Sequence, residues 1–200
     1  KGGGQIYGLD VRGVSHNLGA TIQRRPELYH AKVLEGENQN ENEAASIHDL
    51  VVFKQANLDE KLQYDLQPRN SLIDHFWDDE VDVVSLQESR AIERGDFATG
   101  AYTATVRRNS DRIQILTSRE GNAWGIPLTL KKGITLNAGA STLEIAYFIE
   151  GLPQDRELHF GVEWNFAGLP DAQPDRFFSN SRGERLGDLG SILSLAGSRE

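Results

Sequence analysis

The second half of this chain is a series of short segments in which apolar and polar residues alternate, and this pattern constrains the fold most. The segments are rich in β-branched and aromatic residues, and glycine, asparagine or proline separates them. Their spacing of roughly 8–15 residues is typical of antiparallel strands joined by tight turns, not of βαβ units. The predicted strands are residues 101–107, 112–118, 124–131, 133–137, 142–150 and 157–166.

The last predicted strand has two distinct faces, because side chains alternate along a strand. The apolar face, which we expect to point into the core, consists of Leu158, Phe160, Val162, Trp164 and Phe166. The polar face consists of His159, Gly161, Glu163 and Asn165. Carboxylate, amide and imidazole groups bind sugar hydroxyls, so the polar face could line a sugar cleft. A solvated sheet face has the same pattern, and both interpretations stay open.

The first half is less regular, and its predicted elements are short. We expect a strand at residues 5–11, a short helix within 17–34 and a polar surface loop at 35–43. Two further strands are expected at 49–55 and 58–67. Pro26 and Glu27 are suited to the first turn of that helix. Residues 78–80 and 89–96 are predicted to be solvated connections. No linker separates two domains, so we expect one all-β domain with a minor helix over residues 1–200.

Charge and hydropathy exclude several classes of partner. The chain has 21 Lys and Arg residues against 30 Asp and Glu residues, a formal charge of −9. Nucleic acids and anionic membranes bind basic surfaces, so we expect neither as a partner. No apolar run approaches the ~20 residues that span a bilayer, and no signal peptide is visible. We therefore expect a cytoplasmic location.

The motifs that usually mark catalysis or cofactor binding are absent. The chain has no cysteine, which excludes disulfides, thiolate metal sites and a cysteine nucleophile. It also lacks the phosphate-binding, dinucleotide-binding, zinc-protease and serine-hydrolase motifs, and no ligand spacing indicates a metal. We assign no catalytic residue, no cofactor and no metal. The chain has no methionine and begins at Lys1, so we expect it to be a piece of a longer polypeptide.

Residues 69–78 contain the densest cluster of chemically reactive side chains. Asp74 and His75 are adjacent, so on a strand they would point to opposite faces. On a helix or turn, Asp74 and Asp78 would lie on one side and could flank a cation or a sugar hydroxyl. The alternative is a loop held by an Arg–Asp pair, with Phe76 or Trp77 in the core.

Three arginines are predicted to be structural. Arginine pairs with carboxylates through two parallel hydrogen bonds, and an acidic chain offers many partners. We expect ion pairs from Arg24, Arg25 and Arg69 to acidic neighbours such as Glu27, Asp10 or Asp74.

Several stretches together resemble the C-terminal β domain of glycoside hydrolase family 57 enzymes, of the α-amylase and 4-α-glucanotransferase type. The matching residues, in order, are Gly3 to Tyr7, Leu9-Asp10, Asn17-Leu18, Thr21, Arg24 to Glu27, Tyr29-His30, Ile47 to Asp49, Tyr64-Asp65, Arg69, Ser71 to Phe76, Gly161 to Glu163 and Asn165. One departure is Gly8, where the family has an acidic residue. The resemblance implies an antiparallel supersandwich similar to the galactose-mutarotase-like fold. The family domain extends further than this chain, which predicts a truncated sandwich.

The resemblance also implies a function. In that family the domain follows a catalytic barrel that carries the two catalytic carboxylates, so this chain is expected to be a non-catalytic module. It would pack on the barrel of the same polypeptide, help shape its groove, and bind an α-glucan or maltooligosaccharide weakly. Trp77 with Asp74 or His75 is the expected sugar contact, since Trp77 lies in a segment too polar to be wholly buried.

Two alternatives remain. One is a mutarotase-like sugar epimerase with His75 or His159 and Glu163 as the acid and base. The other is an interaction module without sugar affinity.

Overall fold

The computed structural model describes residues 4–19, 21–31, 62–167 and 170–195. The predicted loop at 35–43, the predicted strand at 49–55 and the first part of the predicted strand at 58–67 lie outside these ranges. The described part of that last segment, residues 62–67, forms no strand. The helix expected within 17–34 is represented, among the described residues, by one helical turn at 28–31.

The described residues form mostly antiparallel strands with little helix. A 3-10 turn spans Arg12–Val14, and helix α1 spans Val83–Gln87, beginning with a capping box between Asp82 and Ser85. The strands are β1 (Asp10–Val11), β2 (His16–Asn17), β3 (Ile73–Trp77), β4 (Thr103–Arg108), β5 (Arg112–Ala123), β6 (Ile126–Asn137), β7 (Leu143–Glu150), β8 (His159–Glu163), β9 (Phe177–Ser179) and β10 (Arg185–Asp188).

The predicted meander is confirmed as a four-stranded antiparallel sheet in the order β4-β5-β6-β7. One predicted turn is wrong. Residues 124–131 and 133–137 belong largely to the single strand β6, because Gly133 pairs with Leu116 on one side and Ala146 on the other. The chain reverses instead at Trp124 and Gly125, whose φ angles of 55° and 78° suit a two-residue hairpin turn.

A second sheet pairs β3 with β8, and it determines which residues reach the core. Its register pairs Asp74 with Val162 and Phe76 with Phe160, so these four side chains share the core face. The main hydrophobic cluster, where the two sheets meet, consists of Phe76, Phe97, Ala123, Leu128 and Leu130.

The expected core position of Trp164 is wrong. Strand β8 ends at Glu163, so the alternation does not continue to Trp164. The Trp164 side chain is 39% exposed and stacks on Phe166 at 5.7 Å between ring centroids.

A buried ion pair lies within the apolar core. Lys132 and Asp74 have no exposed side-chain surface, and the Lys132 Nζ donates to the Asp74 carboxylate at 2.8 Å and to the Leu72 carbonyl at 2.8 Å. The hydroxyls of Tyr102 and Tyr147 donate to the same carboxylate at 2.7 and 3.0 Å. Burial lowers the pKa of Lys132, and the charge of Asp74 opposes that shift. Asp74 is therefore a core residue that ties the two sheets together.

The N-terminal segment and the tail have only short pairings. Of the strand expected at residues 5–11, only Asp10–Val11 forms a strand, and Ile6 makes a single bridge to Ser71. In the tail, β9 and β10 form a hairpin that the sequence did not predict. Within the described ranges, no helix is long and apolar enough to cross a membrane.

Candidate functional site

A cleft of about 630 Å³ lies beside the outer face of the β3–β8 sheet. The same register that sends Asp74 and Phe76 to the core places His75, Trp77 and Glu163 on this outer face. Residues before β3 and after helix α1 supply the other walls. The charged and hydrogen-bonding side chains that line the cleft include Arg24, Asp65, Arg69, His75, Glu93, Glu163 and Asn165.

His75 is clamped between two carboxylates. Its Nδ1 lies 2.6 Å from an oxygen of Glu93, and its Nε2 lies 3.0 Å from an oxygen of Glu163. The other oxygen of Glu93 accepts from the backbone N–H groups of Phe76 and Gly95 at 2.9 and 3.0 Å. The other oxygen of Glu163 accepts from the Asn165 amide at 2.5 Å. Both carboxylates are thus held in place before any ligand arrives.

This clamp determines the protonation state of His75. Burial alone would lower the pKa of the imidazole, but the hydrogen bonds and charges of Glu163 and Glu93 raise it to about 9. Burial would raise the pKa of Glu163, and the hydrogen bonds from His75 and Asn165 outweigh burial and lower it. At neutral pH the group is an imidazolium held by two carboxylates, and both of its N–H groups donate.

Trp77 lies next to this clamp and depends on Gly161. Its ring stacks on His75 with the centroids 4.7 Å apart and the planes 10° apart. Gly161 faces His75 across the strand pair, and a Cβ added there would lie only 2.1 Å from Cζ3 of Trp77. Glycine at this position therefore leaves room for the half-buried indole at the cleft. His159, exposed, meets the edge of the ring at 6.2 Å.

The second wall of the cleft is an Arg–Asp–Arg cluster. The Asp65 carboxylate accepts from the Arg24 side chain at 2.6 and 2.8 Å and from its backbone N–H at 2.6 Å. It also accepts from Arg69 at 2.9 and 3.0 Å. Burial would raise the pKa of Asp65, but the hydrogen bonds from both arginines outweigh it and lower the pKa. The side chains of Arg24 and Arg69 are each about one third exposed, and both line the cleft.

The predicted structural arginines thus differ in their partners. Arg24 and Arg69 pair with Asp65, not with the expected Glu27, Asp10 or Asp74. Arg25 donates to the Gln23 side chain at 2.7 Å at the surface, and no carboxylate among the described residues lies within salt-bridge distance of it.

Of the six predicted sugar-contacting residues, four line the cleft: His75, Trp77, Glu163 and Asn165. His159 does not line the cleft but meets the edge of the Trp77 ring. Asp74 points into the core on the opposite face, so the predicted sugar contact through Asp74 is wrong. Sequence reasoning missed Glu93 and Asp65. Glu93 lies in a segment predicted to be a solvated connection, and the structure instead bridges it to Trp77. A four-residue spacing such as that of Asp65 and Arg69 indicates a pairing on a helix, and residues 65–69 form none, so no local signal revealed this pair.

No group of three or more metal-ligating side chains occurs in the part of the chain that the structure describes. The cleft contains three cations (Arg24, Arg69 and protonated His75) and three carboxylates (Asp65, Glu93 and Glu163), a formal sum of 3 − 3 = 0. Its balanced charge and partly apolar wall match a neutral polyhydroxylated ligand better than a phosphate or a cation.

Comparison with known proteins identifies the family. A family model described as "Alpha-amylase/4-alpha-glucanotransferase, C-terminal" matches residues 1–200. The chain belongs to this family. The resemblance to family 57 glycoside hydrolases is therefore confirmed for the C-terminal region, while the galactose-mutarotase-like detail stays a prediction.

Individual relatives agree with this membership. The chain is 30% identical to the 4-alpha-glucanotransferase of Thermococcus kodakarensis over 167 residues, which cover 82% of this chain and 24% of the relative. It is 26% identical to the alpha-amylase of Pyrococcus abyssi, with the same shares. The crystal structure of the Thermococcus litoralis 4-alpha-glucanotransferase superposes with a TM-score of 0.61 at 26% identity, over 82% of this chain and 24% of that chain. The chain spans about a quarter of the length of these relatives.

Proposed function

We propose that this chain is the non-catalytic C-terminal module of an α-glucan-acting enzyme, packs against the catalytic part of the same polypeptide and helps shape its glucan-binding groove. The family match over residues 1–200 supports this, as do longer relatives named 4-alpha-glucanotransferase and alpha-amylase, of which the match covers 24%. Bond cleavage would take place in the part of the polypeptide outside this chain.

The carboxylates of the cleft are poorly suited to glycoside cleavage: Asp65 is bound by two arginines, and Glu93 and Glu163 are bound by His75. That reaction needs a protonated carboxylic acid together with a free carboxylate that serves as nucleophile or base. Here Glu93 and Glu163 both accept from the His75 ring, and the pKa of Glu163 is lowered, not raised as a general acid requires. His75 itself has no free nitrogen, which argues against the form of the sugar-epimerase alternative that uses His75 as acid or base.

One observation carries the sugar-binding part of the proposal: the balanced charges surround a half-buried indole in one cleft. An α-glucan presents hydroxyls that need donors and acceptors, and ring faces that pack on aromatic groups. Glu163 offers carboxylate oxygens as acceptors, the partly exposed guanidinium of Arg69 offers N–H groups beyond those bound to Asp65, and Trp77 offers apolar surface. The groups are held by their own hydrogen bonds, so little ordering is needed on binding. We expect a dissociation constant of roughly 1 mM, about −4 kcal/mol, because the cleft is open and excludes little water.

The test is a calorimetric titration of the chain with maltoheptaose, since calorimetry needs no fluorescent reporter. Trp77→Ala should abolish measurable binding. Trp164→Ala is the matched control, because Trp164 is also partly exposed but does not line the cleft. Binding that survives Trp77→Ala would refute the cleft as the site. An absence of binding to the unaltered chain would favour the interaction module without sugar affinity.

A further inference from the structure

The cleft holds a cation and an anion near each other without a salt bridge between them. Arg69 and Glu163 both line it, and their side chains are 35% and 40% exposed. The Asn165 side chain links their surroundings, because its amide nitrogen donates to the carbonyl of Asn70 at 2.9 Å and to the Glu163 carboxylate at 2.5 Å. Burial raises the pKa of Glu163, and the nearby charge of Arg69 is among the influences that lower it.

Both charged groups are fixed by other residues of the chain. The Nε and Nη2 atoms of Arg69 donate to the Asp65 carboxylate at 2.9 and 3.0 Å. One oxygen of Glu163 accepts from His75 and the other from Asn165. The two groups therefore keep their positions without a ligand, and little ordering is required when one binds.

Hydrogen-bonding capacity is left over at both groups. The Nη1 amino group of Arg69 and one N–H of its Nη2 have no partner among the described residues. Each oxygen of Glu163 accepts one hydrogen bond and keeps a second lone pair. Arg24, the other arginine of the cleft, differs, because its guanidinium also donates to Gln63 at 2.9 Å and to Ser89 at 3.3 Å. Arg69 is therefore the arginine better able to donate to a ligand.

A donor group near an acceptor group selects the chemistry of the ligand. Glu163 would repel an anion, and Arg69 would repel a cation. A hydroxyl both donates and accepts, so two hydroxyls on adjacent carbons can accept from a guanidinium and donate to a carboxylate. The planar guanidinium is suited to two neighbouring oxygens. Each glucosyl unit of a glucan linked through O1 and O4 has such a pair, at C2 and C3, whereas its C6 hydroxyl has no hydroxyl on the adjacent carbon.

We propose that Arg69 and Glu163 together bind the adjacent C2 and C3 hydroxyls of one glucosyl unit and determine the specificity of the cleft. This inference rests on the proposed function, which supplies the α-glucan. Because the C2 and C3 hydroxyls are free on every unit of such a chain, the site recognises the interior of a glucan as well as its ends.

Titrations with methylated ligands test the assignment, followed by the NMR signal of the Trp77 indole N–H. The ligands are maltoheptaose, maltoheptaose methylated at O2 and O3, and maltoheptaose methylated at O6. Loss of the hydrogen bonds from both hydroxyls should weaken binding of the O2,O3-methylated ligand about tenfold or more, and this ratio is the methylation penalty. The O6-methylated ligand, whose hydroxyl pair is intact, should bind within about twofold of maltoheptaose.

Variants test the two residues. Arg69→Lys keeps the positive charge near Asp65 but lacks the planar set of N–H groups, so the methylation penalty should fall to about threefold or less. Arg94→Lys is the matched control: Arg94 also pairs with an aspartate, Asp78, at 2.7 Å, is 41% exposed and does not line the cleft, so the penalty should be unchanged. Glu163→Gln replaces one acceptor oxygen by an amide nitrogen and should also reduce the penalty. A purely structural role of Arg69 would weaken both ligands equally and leave the penalty as it is.

The contrary outcomes are distinct from one another. If the two methylated ligands bind equally well, the hydroxyl pair is not recognised, and this inference is overturned while glucan binding stands. A penalty that persists in Arg69→Lys or in Glu163→Gln overturns the assignment of that residue, and it would also be seen if methylation only changed the shape of the glucan. If Arg69→Lys does not fold, the ligand comparison on the unaltered chain and on Glu163→Gln decides. A chain that does not bind unmodified maltoheptaose refutes the glucan-binding part of the proposed function, and this inference with it.

Discussion

Lys132→Met should destabilise the chain far more than the same change at its neighbour Lys131. Lys132 is completely buried and donates to Asp74 and to the Leu72 carbonyl, each at 2.8 Å. Methionine retains most of the aliphatic length but cannot neutralise Asp74. The carboxylate would keep the hydroxyls of Tyr102 and Tyr147 as donors and lose its only cationic partner among the described residues.

The expected size follows from the burial of the pair. Removing one member of a buried ion pair typically costs about 3–5 kcal/mol, because the other charge is left in a medium of low polarity. For a chain of this size the loss corresponds to a decrease in melting temperature of about 6–20 °C. Lys131 pairs with Glu150 at 2.8 Å, but these side chains are 39% and 45% exposed. Such a surface pair contributes about 0–1 kcal/mol.

The assay is urea unfolding of the unaltered chain and both variants, followed by circular dichroism. The double variant Lys132→Met with Asp74→Asn should recover part of the loss, since it removes the unpaired charge. A loss for Lys132→Met no larger than that for Lys131→Met would refute the claim that the pair is buried and coupled. So would a double variant whose loss equals the sum of the two single losses.

Three further predictions concern the cleft. Because the folded-state pKa of His75, about 9, exceeds its ordinary value of 6.5, its stabilisation is complete below pH 6.5 and is lost as the pH rises to about 9. The free energy of unfolding should fall by up to about 3 kcal/mol over that interval, and the fall should be absent in His75→Gln; an equal fall in that variant would refute the assignment. Gly161→Ala should displace the Trp77 ring, visible as a shift in tryptophan emission, whereas Gly133→Ala, with open space at its Cβ, should leave the emission unchanged. Arg24→Ala should lower the free energy of unfolding by about 1–3 kcal/mol through loss of the Asp65 contacts, and Arg25→Ala by less than about 0.5 kcal/mol, both measured by urea unfolding.

The sequence predicted the parts of this fold that depend on local alternation. The meander and the two faces of β8 follow from a two-residue period, which a short segment reveals without its partners. The break predicted between the segments 124–131 and 133–137 is wrong because glycine, here Gly133, marks both turns and positions in the middle of a strand. Trp164 was placed in the core by extending the period of β8 past Glu163, where hydrogen bonding to β3 ends.

The candidate site was only partly predictable, for a related reason. His75 stood out because residues 69–78 hold the densest cluster of reactive side chains, and Glu163 and Asn165 stood out because they share the polar face of the last strand. Glu93 did not, because a glutamate in a polar segment looks solvated until the fold places it against a histidine 18 residues away. The role of Asp74 depended on whether residues 73–77 form a strand, and the pairing with β8 decided that question.

The proposed function is tested most directly by measuring the disproportionation of maltotriose by the isolated chain and by the full-length polypeptide that carries it. We expect no products from the 200-residue chain, whose cleft carboxylates are held by His75 or, for Asp65, by two arginines. We expect maltooligosaccharide products from the full-length polypeptide. Products formed by the isolated chain would contradict the assignment of a non-catalytic module. A full-length polypeptide that forms no products from any α-glucan would contradict the assignment of an α-glucan-acting enzyme.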